Sequence, residues 1–240
     1  MRYIIVIFSI ILVSLNIISC SIDDLVDKAT GRRSASSSSD GSAVSYQLAT
    51  HDYANGVVTD SSGNIYVTGG TKGGLDGNTS EGNTDLFLLK YNSSGTKQWL
   101  QQFGSSNNDM GLEVNVDSKG NIYVTGYTEG GLDGNTNSGE RDIFLVKYNS
   151  SGTKQWTQQL GTPTFDEGNG VDVDSSDNIY VSGWTRGKLD TYAGGDDAIV
   201  LKYNSSGTKQ WTRQLGTSSH DMGRGVEVDS SNNIYVTCLL

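Results

Sequence analysis

From about residue 43 onward, apolar and polar residues alternate over short runs instead of recurring every three or four positions. Residues 112–116 (LEVNV) alternate as a strand with one buried face does, and residues 121–125 (NIYVT) set Ile and Val against Tyr and Thr. Residues 142–148 (DIFLVKY) are apolar on both faces, which suits a strand covered from two sides. Residues 153–160 (TKQWTQQL) alternate again around one tryptophan. Gly, Asn, Asp and Ser fill the gaps, and Asn-Ser-Ser-Gly is a tight hairpin signal. No part of this stretch carries a helical period. The pattern predicts antiparallel strands in groups of four.

The groups repeat nearly letter for letter. KYNSSGTKQW stands at residues 90–99, 147–156 and 202–211 without a substitution. Asn-Ile-Tyr-Val recurs at Asn64, Asn121, Asn178 and Asn233, each time behind an Asp-led turn. A fixed period of this size is the mark of a repeat architecture. One unit cannot bury both faces of its apolar third strand, so neighbouring units must stack. The fold class predicted is therefore all-β, a β-propeller of four-stranded antiparallel blades. A β-solenoid or sandwich is the rival reading, but solenoid rungs are usually shorter and lack the hairpin turns. The DSSGNIYVTG and KYNSSG motifs also resemble the bacterial SBBP-type β-propeller repeat family, from about Gln47 to Thr237. That resemblance implies the propeller fold and almost nothing about function, because the shared residues build strands and turns.

The units are expected at about residues 57–110, 111–168 and 169–223, with a partial fourth at 224–240. Gln47-Leu48 followed by His51-Asp52 matches Gln214-Leu215 followed by His220-Asp221. Residues 44–49 thus read as an outer strand that closes the fourth blade, whose two inner strands come from residues 225–237. Its third strand is missing, and Cys238-Leu239-Leu240 stands where the other copies have Gly69, Gly126 and Gly183. Truncation is the first reading and membership of a larger ring the second.

The first 42 residues have a different character. Arg2 precedes an apolar run over residues 3–18, too short for the roughly 20 residues of a membrane span but suited to an export signal. Ile17-Ile18-Ser19-Cys20 resembles the lipobox of bacterial lipoproteins. The expectation is a signal peptide over 1–19 and a lipid on Cys20, hence an exported chain anchored in the cell envelope at the outer membrane or cell surface. Residues 20–42 are serine-rich without apolar period and read as a flexible tether of roughly 25 Å. With Cys20 lipidated, Cys238 has no intrachain partner and no disulfide framework arises. The formal net charge is −10 and the folded part has no Lys/Arg cluster, which excludes nucleic acid as a partner and favours cations or basic proteins.

In an antiparallel blade the turns after strands one and three share one end, and these (DSSGN, NSSGTK) hardly vary between copies. At the other end lie the loops after strand two, over residues 70–85, 127–142 and 184–197, and the links between blades. These loops vary, and function on β scaffolds concentrates on such loops. The candidate binding face there comprises Lys72, Tyr127, Glu129, Trp184 and Arg186. Asp52, Asp109, Asp166 and Asp221 join it as a ring at the channel mouth, with turn capping as the structural alternative. Its expected partner is a protein or glycan outside the cytoplasm. No cofactor is required. Calcium is the one ion the spacing suggests, at Asp76, Asn78 and Asp85 and again at Asp133, Asn135 and Asp142, against plain solvated loop chemistry. No nucleophile motif is present, and His51 and His220 are expected to approach across the closing blade. A hydrolase or lyase in the channel mouth and a degraded paralogue without activity are the alternatives to a binding module.

Overall fold

The computed structural model describes residues 4–8 and 51–239. Strand β1 (Ile4–Phe8) is followed by blade I, formed by β2 (Asp52–Thr59), β3 (Ile65–Thr71), β4 (Asp85–Tyr91) and β5 (Lys97–Phe103). Blade II holds β6 (Asp109–Val116), β7 (Ile122–Thr128), β8 (Asp142–Tyr148) and β9 (Lys154–Leu160). Blade III holds β10 (Asp166–Val173), β11 (Ile179–Thr185), β12 (Asp197–Tyr203) and β13 (Lys209–Leu215). A fourth sheet pairs β14 (Met222–Val228) with β15 (Ile234–Leu239). The architecture is all-β, and each full blade is an antiparallel meander in chain order. Blades open at Asp52, Asp109 and Asp166, a few residues ahead of the expected boundaries, because the inner strand begins at the repeated aspartate rather than at the first apolar pair.

The inner strands β2, β6, β10 and β14 pack on one another in succession, while the fourth sheet is not brought back onto the first. Closure by residues 44–49, like the lipid site at Cys20, lies outside the described residues. On the fourth sheet, the place that an antiparallel third strand takes in blades I–III is held by β1, which runs parallel to β15.

The apolar third strands explain the stacking. Leu86 and Leu88 of blade I meet Val124, Phe144 and Val146 of blade II, and Ile143 and Leu145 of blade II meet Val181, Ile199 and Leu201 of blade III. All ten are at most 2 % exposed. Each buried side chain of this size contributes about 2 kcal/mol relative to exposure, so the junctions dominate stability.

The invariant decapeptide works at these junctions too. Lys90 Nζ lies 5.1 Å over the Tyr66 ring and donates to Ser150 O of the next blade, and Lys147 repeats this with Tyr123 and Ser205 O. Gly152 and Gly207, both at positive φ in the Asn-Ser-Ser-Gly turn, sit against the indoles of Trp99 and Trp156 in the preceding blade. A Cβ on either glycine would come within 2.9 or 3.0 Å of the ring. The turn of one blade therefore rests on the tryptophan of its neighbour, which ties Lys, Gly and Trp together in the motif.

The Asp-led turns are capped alike. Asp174 accepts from Ser176 N, Asn178 N, Asn178 Nδ2 and Tyr180 OH. Burial works to raise its pKa, but these donors outweigh it and hold the carboxyl below its ordinary value of 3.8. A lowered folded pKa adds stability that is present above the unfolded value and lost as the pH falls through the folded one. Asp174→Ala is expected to cost about 2 kcal/mol at neutral pH. The deficit should shrink in strong acid, where the parent has lost the same interaction. Urea melts across pH check this, and an acid-independent deficit would contradict it.

Candidate binding face

The loop end is organised by short parallel bridges between blades. Thr84, Arg141 and Asp196, each just ahead of a third strand, bridge to Asn108, Phe165 and His220, each just ahead of the next inner strand. Antiparallel pairing sets Tyr127 opposite Met110 and Trp184 opposite Glu167. The variable positions of two blades are thus drawn into one row.

In that row the Arg141 guanidinium stacks 4.1 Å from the Tyr127 ring centre and 5.5 Å from that of Phe165. Arg186 lies on Phe165 at 5.2 Å and near Trp184 at 5.9 Å. Phe165 therefore stands between two cations, a contact in which each guanidinium meets the negative π face. Carboxylates hold the cations in place. Arg141 pairs with Glu129 Oε1 at 3.1 Å and with Glu167, whose other oxygen accepts Trp184 Nε1 at 3.2 Å. Asn108 Nδ2 donates to Glu129 at 2.5 Å. Asp196 is buried and takes Arg186 Nε and His220 Nδ1, both at 2.7 Å. Burial alone would raise the Asp196 pKa, but Arg186 and His220 hold it below the ordinary value. The Arg186 side chain is 44 % exposed and His220 68 %, so this corner is open to a partner.

Four expected residues, Tyr127, Glu129, Trp184 and Arg186, are brought together. Trp184 is 7 % exposed, so it forms the floor of the row instead of a protruding anchor as its loop position suggested. Lys72 is exposed on blade I, where Gly70 stands in the aromatic position, and lies apart from the row. The aspartate ring is not part of the face. Asp109 and Asp166 are 0 % exposed and Asp221 1 %, and their carboxylates turn inward. Asp109 and Asp166 accept from Thr128 and Thr185 hydroxyls, and Ser105 N, Thr162 N and Thr217 N donate to Asp109, Asp166 and Asp221. Asp52 is half-buried and accepts from Thr71 Oγ1 at 2.7 Å. These residues cap the blade entrances.

The calcium candidates do not converge. Asp76 is paired with Lys97, and Asp133 with Lys154 and Thr157 of the outer strand. Asn78 and Asn135 each donate to a backbone carbonyl, that of Leu75 or Leu132, at 2.8 Å. Asp85 accepts from Glu81 N, Gly82 N and Gln102 Nε2, and Asp142 from Ser138 N and Gln159 Nε2. Among the described residues no three His, Cys, Asp or Glu side chains gather as a metal site. The two histidines are separately engaged, His51 stacked with Tyr53 and His220 with Asp196.

The profile "SBBP: Beta-propeller repeat" matches residues 47–76, 98–133, 155–189 and 210–237, more than half the chain. The chain belongs to the SBBP beta-propeller repeat family. The SBBP chain is 28 % identical over 200 residues to the regulatory protein FlaEY of Caulobacter vibrioides, an alignment covering 74 % of it and 21 % of FlaEY. It is 26 % identical over 199 residues to the uncharacterized WD repeat-containing protein L264 of Acanthamoeba polyphaga mimivirus, covering 64 % and 14 %. It thus spans about a fifth or less of these relatives. Among solved structures, a GH43_12 protein from a capybara gut metagenome aligns with TM-score 0.42 at 10 % identity, covering 78 % of the SBBP chain and 39 % of that protein. No helix among the described residues is long and apolar enough to cross a membrane.

Proposed function

We propose that this SBBP propeller is a non-catalytic binding module that meets a partner through the loop end of blades II and III, on an exported chain anchored by lipid at Cys20. The observation that carries the reading is the continuous Tyr127–Arg141–Phe165–Arg186–Trp184 row. Arg, Tyr and Trp are the residue types that most often dominate protein contacts, which favours a protein over a glycan as partner. The held carboxylates argue against acid–base catalysis. Glu129 and Glu167 are both committed to Arg141, and Asp196 to Arg186 and His220, so the three carboxylates of the row itself are held by cations. The anchor rests on the apolar run, the four lipobox-like residues and the serine-rich tether. Placement at the outer membrane or cell surface belongs to the same proposal.

The test uses the full chain immobilised through its N-terminal region and its host's detergent-solubilised envelope proteins as analyte. Replacing Arg141 and Arg186 together by alanine is expected to weaken retention at least about thirtyfold, the effect of losing a single hot spot of about 2 kcal/mol. Lys147→Ala, at the opposite end, should leave retention unchanged. Equal losses in both variants, or none in the first, would overturn the assignment of the face. Retention of envelope polysaccharide in place of protein would transfer the face to a glycan.

A further inference from the structure

In blades I–III the third strand runs antiparallel to the second and follows one plan: Asp, four apolar residues, Lys and Tyr, over residues 85–91, 142–148 and 197–203. Its closing residues each cover a neighbour. The lysine lies over the tyrosine of the second strand, at 5.1 Å for Lys90 on Tyr66, 5.3 Å for Lys147 on Tyr123 and 5.0 Å for Lys202 on Tyr180. The tyrosine covers the end of the preceding outer strand: Tyr148 meets Phe103 with ring centres 6.4 Å apart, and Tyr203 shares a core cluster with Leu160. On the second strand, the Thr68 and Thr125 hydroxyls donate to Phe87 O and Phe144 O of the third strand, both at 2.7 Å.

The fourth sheet keeps the receiving half of this plan. Tyr235, Thr237 and, on blade III, Leu215 occupy the three receiving places, and all are less covered than their counterparts. Thr237 is exposed, where Thr68 and Thr125 are fully buried. Leu215 is 49 % exposed, where Phe103 and Leu160 are half-buried. Tyr235 is half-buried, where Tyr66, Tyr123 and Tyr180 are buried. The strand seated on this edge is β1, which runs parallel to β15. It sets Ile4 against Ile234 and Ile5 against Tyr235, the places where a third strand sets its tyrosine and its lysine. β1 thus supplies main-chain pairing without the two residues that the site is shaped to receive.

We propose that the edge of β15 is a binding site for an extended segment of a partner protein that carries Asp, four apolar residues, Lys and Tyr, and that β1 is its placeholder. The segment adds antiparallel, in the register of blades I–III. Its tyrosine then lies opposite Ile234, its lysine opposite Tyr235, and its apolar run opposite Val236 to Leu239. An open edge is a template for a further strand, whose main-chain ladder gives affinity while side chains give specificity. Alternate apolar residues of the segment face Val200 of blade III, which already packs with Ile234 and Val236. The moment of opening rests on the lipoprotein reading above, since cleavage ahead of Cys20 removes β1. The site itself does not.

The test titrates a labelled peptide with the sequence of residues 140–149 (ERDIFLVKYN) into the full chain and into its Val6→Pro variant, followed by fluorescence anisotropy. Proline in mid-strand removes a ladder donor and frees the edge. The variant should bind the peptide at least about tenfold more tightly than the parent, the gain from raising the population of the open site. Changing Lys147→Ala and Tyr148→Ala in the peptide should weaken that binding at least about tenfold, as the cation–π contact and the tyrosine cover are lost. A Phe144→Cys peptide should form a disulfide with Cys238 under mild oxidation, and a Lys147→Cys peptide should not, which fixes the register. Ile5→Asp replaces Val6→Pro if the proline variant does not fold. No binding by the variant, or equal binding of the parent and alanine peptides, would overturn the site. Equal binding by parent chain and variant would overturn the placeholder. A chain that retains residues 1–19 in its host, read by mass spectrometry, would overturn the lipoprotein reading alone and leave the peptide results standing.

Discussion

Alanine at Gly126 or Gly183 is expected to unfold the chain or nearly so. Both glycines lie in the second strand of a blade, opposite the bulge where the inner strand slips register between Gly111 and Glu113 or between Gly168 and Gly170. An added Cβ would run into the carbonyl oxygen of Met110 or Glu167. These are backbone atoms held in a ladder, so no rotamer change relieves the collision. Overpacking in a well-filled core costs about 1–3 kcal/mol and more when backbone must move. A domain has only about 5–15 kcal/mol in total. Gly134→Ala is the contrast. It has positive φ, but nothing within 4 Å of an added Cβ, so about 1 kcal/mol of left-handed strain is all it should lose. Urea midpoints of the three variants decide the matter, and a parent-like midpoint for Gly126→Ala would show that the bulge can relax.

Trp156→Ala should lose about 3 kcal/mol, more than its half-exposed position suggests. The indole packs beside Tyr123 with ring centres 6.4 Å apart and also supports Gly207 in the turn of blade III. Removing it therefore loosens two blades at once. In a stacked array each unit depends on its neighbours, so damage at one junction is felt beyond it. Gly207→Ala attacks the same contact from the other side, and the two losses should fall short of adding. Fully additive losses in a double-mutant cycle would mean that the turn and the indole are independent.

These effects trace to features that were legible in the sequence. The run DIFLVKY is apolar on both faces because β8 lies between two neighbouring blades, and its predicted span coincides with the strand. The decapeptide was readable as strand end, turn and outer strand. Its inter-blade role was not, because sequence does not tell which neighbour a turn leans on. The proposed contact row was only half visible. Tyr127 and Trp184 stood out by varying among aromatic and small residues. Arg141 and Phe165 did not, being hidden beside constant aspartates, although both positions vary between copies, and His220 was noticed only for its match to His51. For Asp109, Asp166 and Asp221 the sequence leaves ring and turn cap both open, because a position at a strand's entrance does not reveal which way a carboxylate turns, and the buried carboxylates favour the cap. The inward direction follows from a threonine in the paired strand, and Thr128 and Thr185 stand at matching places in each repeat. The Asp-x-Asn spacing is likewise silent on which side chains each loop residue meets. Lys97 and Lys154 of the outer strands pair with the loop aspartates Asp76 and Asp133, while Asp85 and Asp142 accept from their own loop amides and a glutamine.

The most direct test of the contact surface is amide hydrogen exchange of the full chain, free and with the solubilised envelope proteins of its host. Slowed exchange should concentrate in residues 127–141, 163–167 and 184–196, with the Asn-Ser-Ser-Gly turns at 149–152 and 204–207 unchanged. Protection centred on those turns instead, or none at all, would contradict the assignment of binding to the variable end of the blades.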